Sequence, residues 1–390
     1  MEKIRARKIA LIGAMGSGKT TLARAYAARF GKTVYDTDEQ FLRRYGEINA
    51  YFEANGESAF RKIENELMAE AAASSADIIA CGGGAPLCKS GLYALRACCE
   101  IVYLCAPIQT LRARIAATPR PLKDELERTT RERKPLYERY ADYTVDTDTS
   151  VENALDRLIA ALRKPRPNRY DVVLCDADDT VLDYRSAMRH SLTTAARAVG
   201  LRCSDDRLIE QYKIVSDDIW GRLERGEIDH AGLNDLRFKL LRDLLREDFD
   251  VDKMNDAYFS EMKKTRFTVN GAREFLAALR ARGIKVYIAT NAFESIACER
   301  LKALDGYIDG AFVSETIGYD KPNVKYFERV HAAIGEPNKA RMLMFGDGVT
   351  SDIAGGNAFG IDTCLFDVSG SKRSSADYTV RDFAAVLDIM

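Results

Sequence analysis

Short apolar runs alternate with longer stretches of helical periodicity along this chain, and the apolar runs end repeatedly in glycine or aspartate. Residues 9–12 lead into Gly13-Ala14-Met15-Gly16-Ser17-Gly18-Lys19-Thr20 and then a helical pattern over residues 22–30. Thr33-Val34-Tyr35 ends in Asp36-Thr37-Asp38, and residues 77–81 end in Gly82-Gly83-Gly84. Strand-like residues 101–104 precede a helix from Ile108, and Tyr143-Thr144-Val145 precedes a helix over residues 151–162. The pattern breaks at Arg163-Lys164-Pro165-Arg166-Pro167-Asn168-Arg169 and resumes with buried-strand runs at 172–175, 285–289 and 341–345. Strands of this kind, separated by helical stretches, predict parallel sheets in an α/β protein.

A chain of 390 residues is long enough for two domains with separate cores. The charged, Pro-containing stretch 163–169 reads as an exposed connector between residues 1–162 and 170–390. Two such domains are expected to fold and act independently. Residues 183–267 show helical periodicity without strand signals, long enough for an inserted helical cap.

The formal charge of −1 conceals a slightly basic first part, a basic connector and an acidic remainder. Neither part is basic enough to argue for nucleic acid. No apolar run approaches the roughly 18 residues of a membrane span. The nine cysteines form no C-x-x-C pair and read as reduced core residues of a cytoplasmic protein. His190, His230 and His331 lack metal-ligand spacing.

Gly13, Gly16 and Gly18 allow a tight turn whose amides converge on phosphate oxygens at a helix N-terminus. Lys19 can neutralise the β and γ phosphates while the Thr20 hydroxyl ligates Mg²⁺. Asp36 and Asp38, two apart at a strand end, point to the same side, one towards Mg²⁺ and one towards an acceptor hydroxyl; a helix cap is the competing role. Arg61 and Glu64 lie one helical turn apart, which orients the guanidinium for a substrate carboxylate. Gly82 to Gly84 permit close backbone approach, and Thr118-Pro119-Arg120-Pro121-Leu122 is a stiff turn suited to a lid.

Together with Arg133-Lys134-Pro135-Leu136-Tyr137, this ordered set resembles the shikimate kinases over residues 8–162. The resemblance implies a P-loop NTPase sheet domain that moves the ATP γ-phosphoryl group to the 3-hydroxyl of shikimate. Gly16, Ser17, Gly18, Lys19, Thr20, Thr21 and Arg120 would hold ATP. Asp38, Arg61, Gly83 and Arg133 would hold shikimate, with Asp38 also the candidate base and Lys19 a catalytic residue. Thr20 would ligate Mg²⁺ directly and Asp36 through water. Lys123 departs from the apolar residue of many relatives. A kinase for another small polyol acid, such as gluconate, is the alternative.

In the second part, Asp176-Ala177-Asp178 crowds two carboxylates at a strand end, an arrangement that calls for a cation between them. Thr290 offers a hydroxyl to a phosphoryl oxygen, Lys321 a positive charge, and Asp347 and Asp352 two further carboxylates. This set resembles the haloacid dehalogenase superfamily, a Rossmann-like fold with an inserted cap. The resemblance implies that Asp176 attacks phosphorus to form an aspartyl-phosphate and that Asp178 protonates the leaving group and then activates water. Thr290 and Lys321 would stabilise the transferring group, and Asp176, Asp178, Asp347 and Asp352 would form the Mg²⁺ site. Asp179 replaces a glycine common at its position. Residues 219–228 and 236–238, together with 351–364, look like the pyrimidine 5′-nucleotidases within that superfamily. A bifunctional enzyme acting on small molecules is therefore expected, one half installing phosphate and the other removing it from a nucleoside 5′-monophosphate, with a sugar or other metabolite phosphate as the alternative substrate. The alternative is that one half is a non-catalytic regulatory module.

Overall fold

The computed structural model describes residues 8–116, 125–225 and 227–390. Two compact units emerge: residues 1–170 with 377–390, and residues 171–376. Both are parallel-sheet α/β folds, as the buried apolar runs predict.

In the first unit, strands β1 (Lys8–Ile12), β2 (Val34–Asp36), β3 (Ile78–Ala80), β4 (Cys99–Cys105) and β5 (Tyr143–Asp146) lie in the order β2-β3-β1-β4-β5. All pairs are parallel, with Leu11 opposite Ala80 on one side and Val102 on the other. β1 therefore sits at the centre, and its carboxyl end lies where connections depart to opposite sides, the usual ligand position in such sheets. Ile9 and Leu11 pack with Leu22, Tyr26, Leu155 and Leu158, residues that the helical spacing brings to one face of each covering helix. Helix Ile48–Ala73 is interrupted at Gly56, whose φ of 79° and ψ of 171° separate two helical segments.

In the second unit, β6 (Val172–Cys175), β7 (Lys285–Thr290), β8 (Gly310–Val313), β9 (Met342–Gly346) and β10 (Asp362–Phe366) are ordered β10-β9-β6-β7-β8. β6 is central and parallel to both neighbours. Helices Tyr184–Ala198, Asp205–Glu224, His230–Leu245 and Val251–Lys264 form the insertion. They share a core of their own that includes Leu192, Tyr212, Phe238 and Tyr258.

The stretch 163–169 differs from the exposed connector expected of it. Arg163, Lys164, Pro165 and Pro167 are exposed, but Arg169 and Tyr170 are buried. Arg169 donates from Nε and Nη2 to the two carboxylate oxygens of Asp142, each at 2.7 Å. A basic, proline-containing composition concealed a buried ion pair because its partner lies 27 residues away. Residues 377–390 also group with the first unit. Asp377 pairs with Lys89 at 2.7 Å, and the rings of Tyr378 and Tyr93 meet edge-on at 5.0 Å. Arg166 donates to the Asp388 carbonyl at 2.9 Å, and the Arg169 amide to the Met390 carbonyl at 2.9 Å. All nine cysteines are free; Cys81, Cys88, Cys99, Cys175 and Cys364 are buried, while Cys98 and Cys298 are exposed rather than core residues.

Candidate active sites

The glycine loop of the first unit follows β1 and opens helix Lys19–Phe30, whose first turn receives no side-chain cap. Its amides are thus left for a ligand. Gly13 and Gly16 have φ of 150° and 80°, and a Cβ would lie 2.4 Å from the Leu104 carbonyl oxygen at the first and 2.8 Å from the Leu111 oxygen at the second. Only glycine fits there. Lys19 Nζ donates to the carbonyls of Gly13 at 2.9 Å and Ala14 at 3.0 Å, folding the side chain over the loop. Ser17 is fully buried, and its hydroxyl has no hydrogen-bond partner.

Asp36 caps a helix with one oxygen and meets the Thr20 hydroxyl with the other. Oδ1 caps the helix Thr37–Tyr45 by accepting from the amides of Asp38 and Glu39. Oδ2 accepts from the Thr20 hydroxyl at 2.6 Å. Burial raises the Asp36 carboxyl above its ordinary pKa, and the Thr20 hydrogen bond opposes this only in part. A hydroxyl and a carboxylate held this close at the phosphate loop are hard oxygen donors that suit Mg²⁺.

A cavity of about 250 Å³ joins this loop to Asp38, Arg61, Gly83 and Arg133. Arg61 pairs with the buried Glu64, and donates to Glu57 at 2.9 Å. Burial pulls the Arg61 guanidinium down, but Glu64 outweighs it and holds the group firmly charged. The Gly83 carbonyl accepts from Arg133 at 3.2 Å and from the Tyr137 hydroxyl at 2.5 Å. A Cβ at Gly82 would come within 2.5 Å of Glu64 Oε1, so the glycine run admits the Arg61–Glu64 pair. Arg114 lines the cavity too, donating to the Thr147 carbonyl at 2.6 Å. The sequence carries no local signal for that contact, which joins two segments distant along the chain. Thr21 also lines the cavity; Arg120, with the lid turn and Lys123, lies outside the described residues.

In the second unit the candidate residues meet at the carboxyl ends of β6, β7 and β9. Lys321 Nζ donates to Asp176 Oδ1 at 2.8 Å, to Asp352 Oδ1 at 2.6 Å and to the Ala289 carbonyl at 2.6 Å. Burial pulls the ammonium down, yet Asp176 and Asp352 together hold it above its ordinary pKa. The Thr180 hydroxyl donates to Asp176 Oδ2 at 3.1 Å, fixing the carboxylate from its other side. Asn291 and the Lys321 backbone exchange two hydrogen bonds of 2.9 Å, and the Thr290 hydroxyl accepts from the Ala292 amide at 3.2 Å.

Asp176, Asp347 and Asp352 each offer a carboxylate oxygen within 4.8 Å of the others. Burial raises the Asp347 carboxyl, as does its neighbour Asp176. Burial also raises Asp352, against the pull of Lys321. Three carboxylates against the ammonium groups of Lys321 and Lys372 still leave excess negative charge, and a Mg²⁺ ion with its preference for carboxylate oxygens fits that donor set. The Asp178 carboxylate is not in this group, although the sequence pairs it with Asp176: its Oδ1 accepts from Arg300 at 2.5 Å. Lys372 pairs with Asp347 at 2.9 Å; it comes from a polar stretch without sequence periodicity, which is why pattern reading passes over it.

Comparison with known proteins returns two families. A shikimate kinase family model matches residues 15–163, and a haloacid dehalogenase-like hydrolase model matches residues 170–360. The shikimate kinase of Methylococcus capsulatus is 36% identical over 167 residues, 40% of this chain and 93% of that protein. The pyrimidine 5′-nucleotidase YjjG of Escherichia coli is 30% identical over 198 residues, 50% of this chain and 85% of that protein. Among solved structures, the magnesium-bound HAD-hydrolase YfnB of Bacillus subtilis is 26% identical with a TM-score of 0.53, covering 56% of this chain and 98% of that one. No helix among the described residues is long and apolar enough to cross a membrane.

Proposed function

Because the chain belongs to the shikimate kinases through its first unit and to the haloacid dehalogenase-like hydrolases through its second, we propose that it phosphorylates shikimate with ATP and hydrolyses a nucleoside 5′-monophosphate. The observation carrying the kinase reading is the single cavity on which Lys19, Thr20, Asp36, Asp38, Arg61 and Arg133 converge. Arg61 and Arg133 bind the shikimate carboxylate, the Gly83 backbone closes against the ring, and Asp38 accepts the proton of the attacking 3-hydroxyl. Lys19 leaves the loop carbonyls for the phosphates. Thr20 and Asp36 would hold Mg²⁺, which would offset phosphate charge. Arg120 belongs to the same reading, covering ATP, as do Gly16, Ser17, Gly18 and Thr21 around the phosphates.

The phosphatase reading is supported by the fixed orientation of Asp176 between Lys321 and Thr180. An Asp176 oxygen attacks phosphorus, the bond from phosphorus to the ester oxygen breaks, and Asp178 gives the departing alcohol its proton. Asp178 then takes a proton from water, which attacks phosphorus and releases inorganic phosphate from Asp176. Lys321 and Thr290 contact the phosphoryl oxygens. Asp176, Asp347 and Asp352 would hold Mg²⁺, which would offset the negative charge gathered there.

A coupled assay of the full chain should show ATP- and shikimate-dependent ADP release, and phosphate release from uridine or cytidine 5′-monophosphate. Arg61→Ala should weaken shikimate binding by about 2 to 4 kcal/mol, as expected for a lost charge-assisted contact, while leaving nucleotide hydrolysis unchanged. Asp176→Asn should abolish hydrolysis and spare the kinase. Turnover of gluconate in place of shikimate would overturn the first assignment. Hydrolysis at the wild-type rate by Asp176→Asn would overturn the second, and absence of either activity would make that unit a non-catalytic module.

A further inference from the structure

Arg300 lies on helix Glu294–Leu301, directly after the β7 end that carries Thr290 and Asn291. Its side chain is 4% exposed, whereas that of Asp178 is 31% exposed. One guanidinium nitrogen, Nη1, donates to Asp178 Oδ1 at 2.5 Å. The guanidinium centre lies 5.8 Å from the ring of Tyr184, at the start of the first inserted helix. Nη2 is buried without a hydrogen-bond partner. Pattern reading gives Arg300 no signal, since it sits within an ordinary helical stretch.

We infer that Arg300 is a positioning residue that fixes the Asp178 carboxylate for proton transfer in the second unit, an inference that rests on the acid–base role proposed for Asp178. A carboxylate this exposed on a loop can rotate about its side-chain bonds. A buried arginine, held by a ring face on one side, cannot follow it. By occupying Oδ1, Arg300 leaves Oδ2 as the oxygen that meets the leaving group and, after it, the attacking water. Reacting groups held in one orientation gain rate because the cost of ordering them is met before the reaction begins. The buried Nη2 N–H is consistent with such a role: it is the mark of a side chain placed for one demanding contact rather than for its own full satisfaction.

The test uses the full chain and two phosphomonoesters, p-nitrophenyl phosphate, whose leaving group needs little protonation, and uridine 5′-monophosphate, whose alkoxide needs much. Arg300→Met should lower kcat/KM for the nucleotide about 10- to 100-fold, the range of a displaced acid–base group, and that for the nitrophenyl ester less than threefold. It should lower kcat for both, because water activation is common to them, and for the nitrophenyl ester KM should fall in proportion to kcat. Arg300→Lys should recover part of the loss. In an Asp178→Asn background, Arg300→Met should add nothing further, since the two side chains act as one unit.

Equal losses in kcat/KM on the two esters, or full additivity with Asp178→Asn, would overturn the inference and leave Arg300 a packing residue. If Asp178→Asn itself does not discriminate between the esters, the acid–base reading of Asp178 fails, a result separate from failure at Arg300 alone. Should Arg300→Met not fold by circular dichroism, Arg300→Lys and Arg300→Gln carry the same comparison of esters, because each keeps a polar head in the buried site.

Discussion

Asp179 has φ of 57°, in the left-handed region that glycine adopts without strain. The conformation costs an ordinary side chain about 1 to 2 kcal/mol but is tolerated by aspartate, whose short carboxylate bonds locally. Here it accepts from the Arg185 amide and from Arg185 Nε, both at 3.2 Å. The loop shape left open by the sequence is therefore kept by a different residue. We predict that Asp179→Gly leaves phosphatase kcat/KM within about threefold, because the backbone conformation persists, and that Asp179→Val destabilises the second unit by about 1 to 2 kcal/mol. Kinetics of the first variant and urea unfolding of the second are the measurements; a tenfold loss with Asp179→Gly would show that the carboxylate, not the turn, is what the site uses.

The strands of both sheets end in the residues proposed to carry the chemistry, and this is the part of the molecule most open to reading from sequence. The loop after β1, Asp36 and Asp38 after β2, Gly83 after β3, Asp176 after β6 and Asp347 after β9 all follow apolar runs, so periodicity locates them. Arg300, Lys372, Arg114 and Thr180 were not legible as partners, because each acts through a contact set by the packing of segments distant from it in sequence or through a hydroxyl common in any loop. Arg169 misled for the same reason, its basic neighbours suggesting solvent. The glycine loop yields a prediction at this scale. Gly16→Ala places a Cβ 2.8 Å from the Leu111 oxygen and 2.9 Å from Ile115 Cγ2, on a backbone with φ of 80°. The strain, of order 1 to 3 kcal/mol, must be relieved by moving the loop or helix Ile108–Ile115. KM for ATP should rise at least tenfold, with phosphatase activity in the same preparation unchanged; an unaltered KM would mean that the loop accommodates the methyl group without displacing its amides.

Across the whole molecule, the first unit draws on sequence from both sides of the second, residues 1–170 and 377–390. Asp142 and Arg169 form one of its buried joints. Burial would raise the Asp142 carboxyl, but the hydrogen bonds and charge of Arg169 hold it below the ordinary carboxylate range. Its contribution is therefore complete above about pH 4, the unfolded value, and is lost as pH falls through the depressed folded value. We predict that Asp142→Asn costs the first unit about 3 to 5 kcal/mol at neutral pH, the range for removing one partner of a buried ion pair, and that the gap from wild type narrows below pH 4. Urea unfolding followed by kinase activity at several pH values checks both the size and the sign. A second joint is helix Phe383–Ile389, with Val386, Ile389 and Met390 almost fully buried. Removing residues 377–390 should lower the stability of the first unit by at least about 3 kcal/mol, from the loss of several buried apolar side chains, and a fragment of residues 1–164 should behave likewise; an unchanged urea midpoint for kinase activity would refute this. The same arrangement orders the birth of the two activities. During translation residues 171–376 leave the ribosome between the two stretches that build the first unit, so that unit cannot close until residues 377–390 have followed. A chain cut short before residue 377 would therefore lack part of the first unit although every residue of its phosphate loop had already been made.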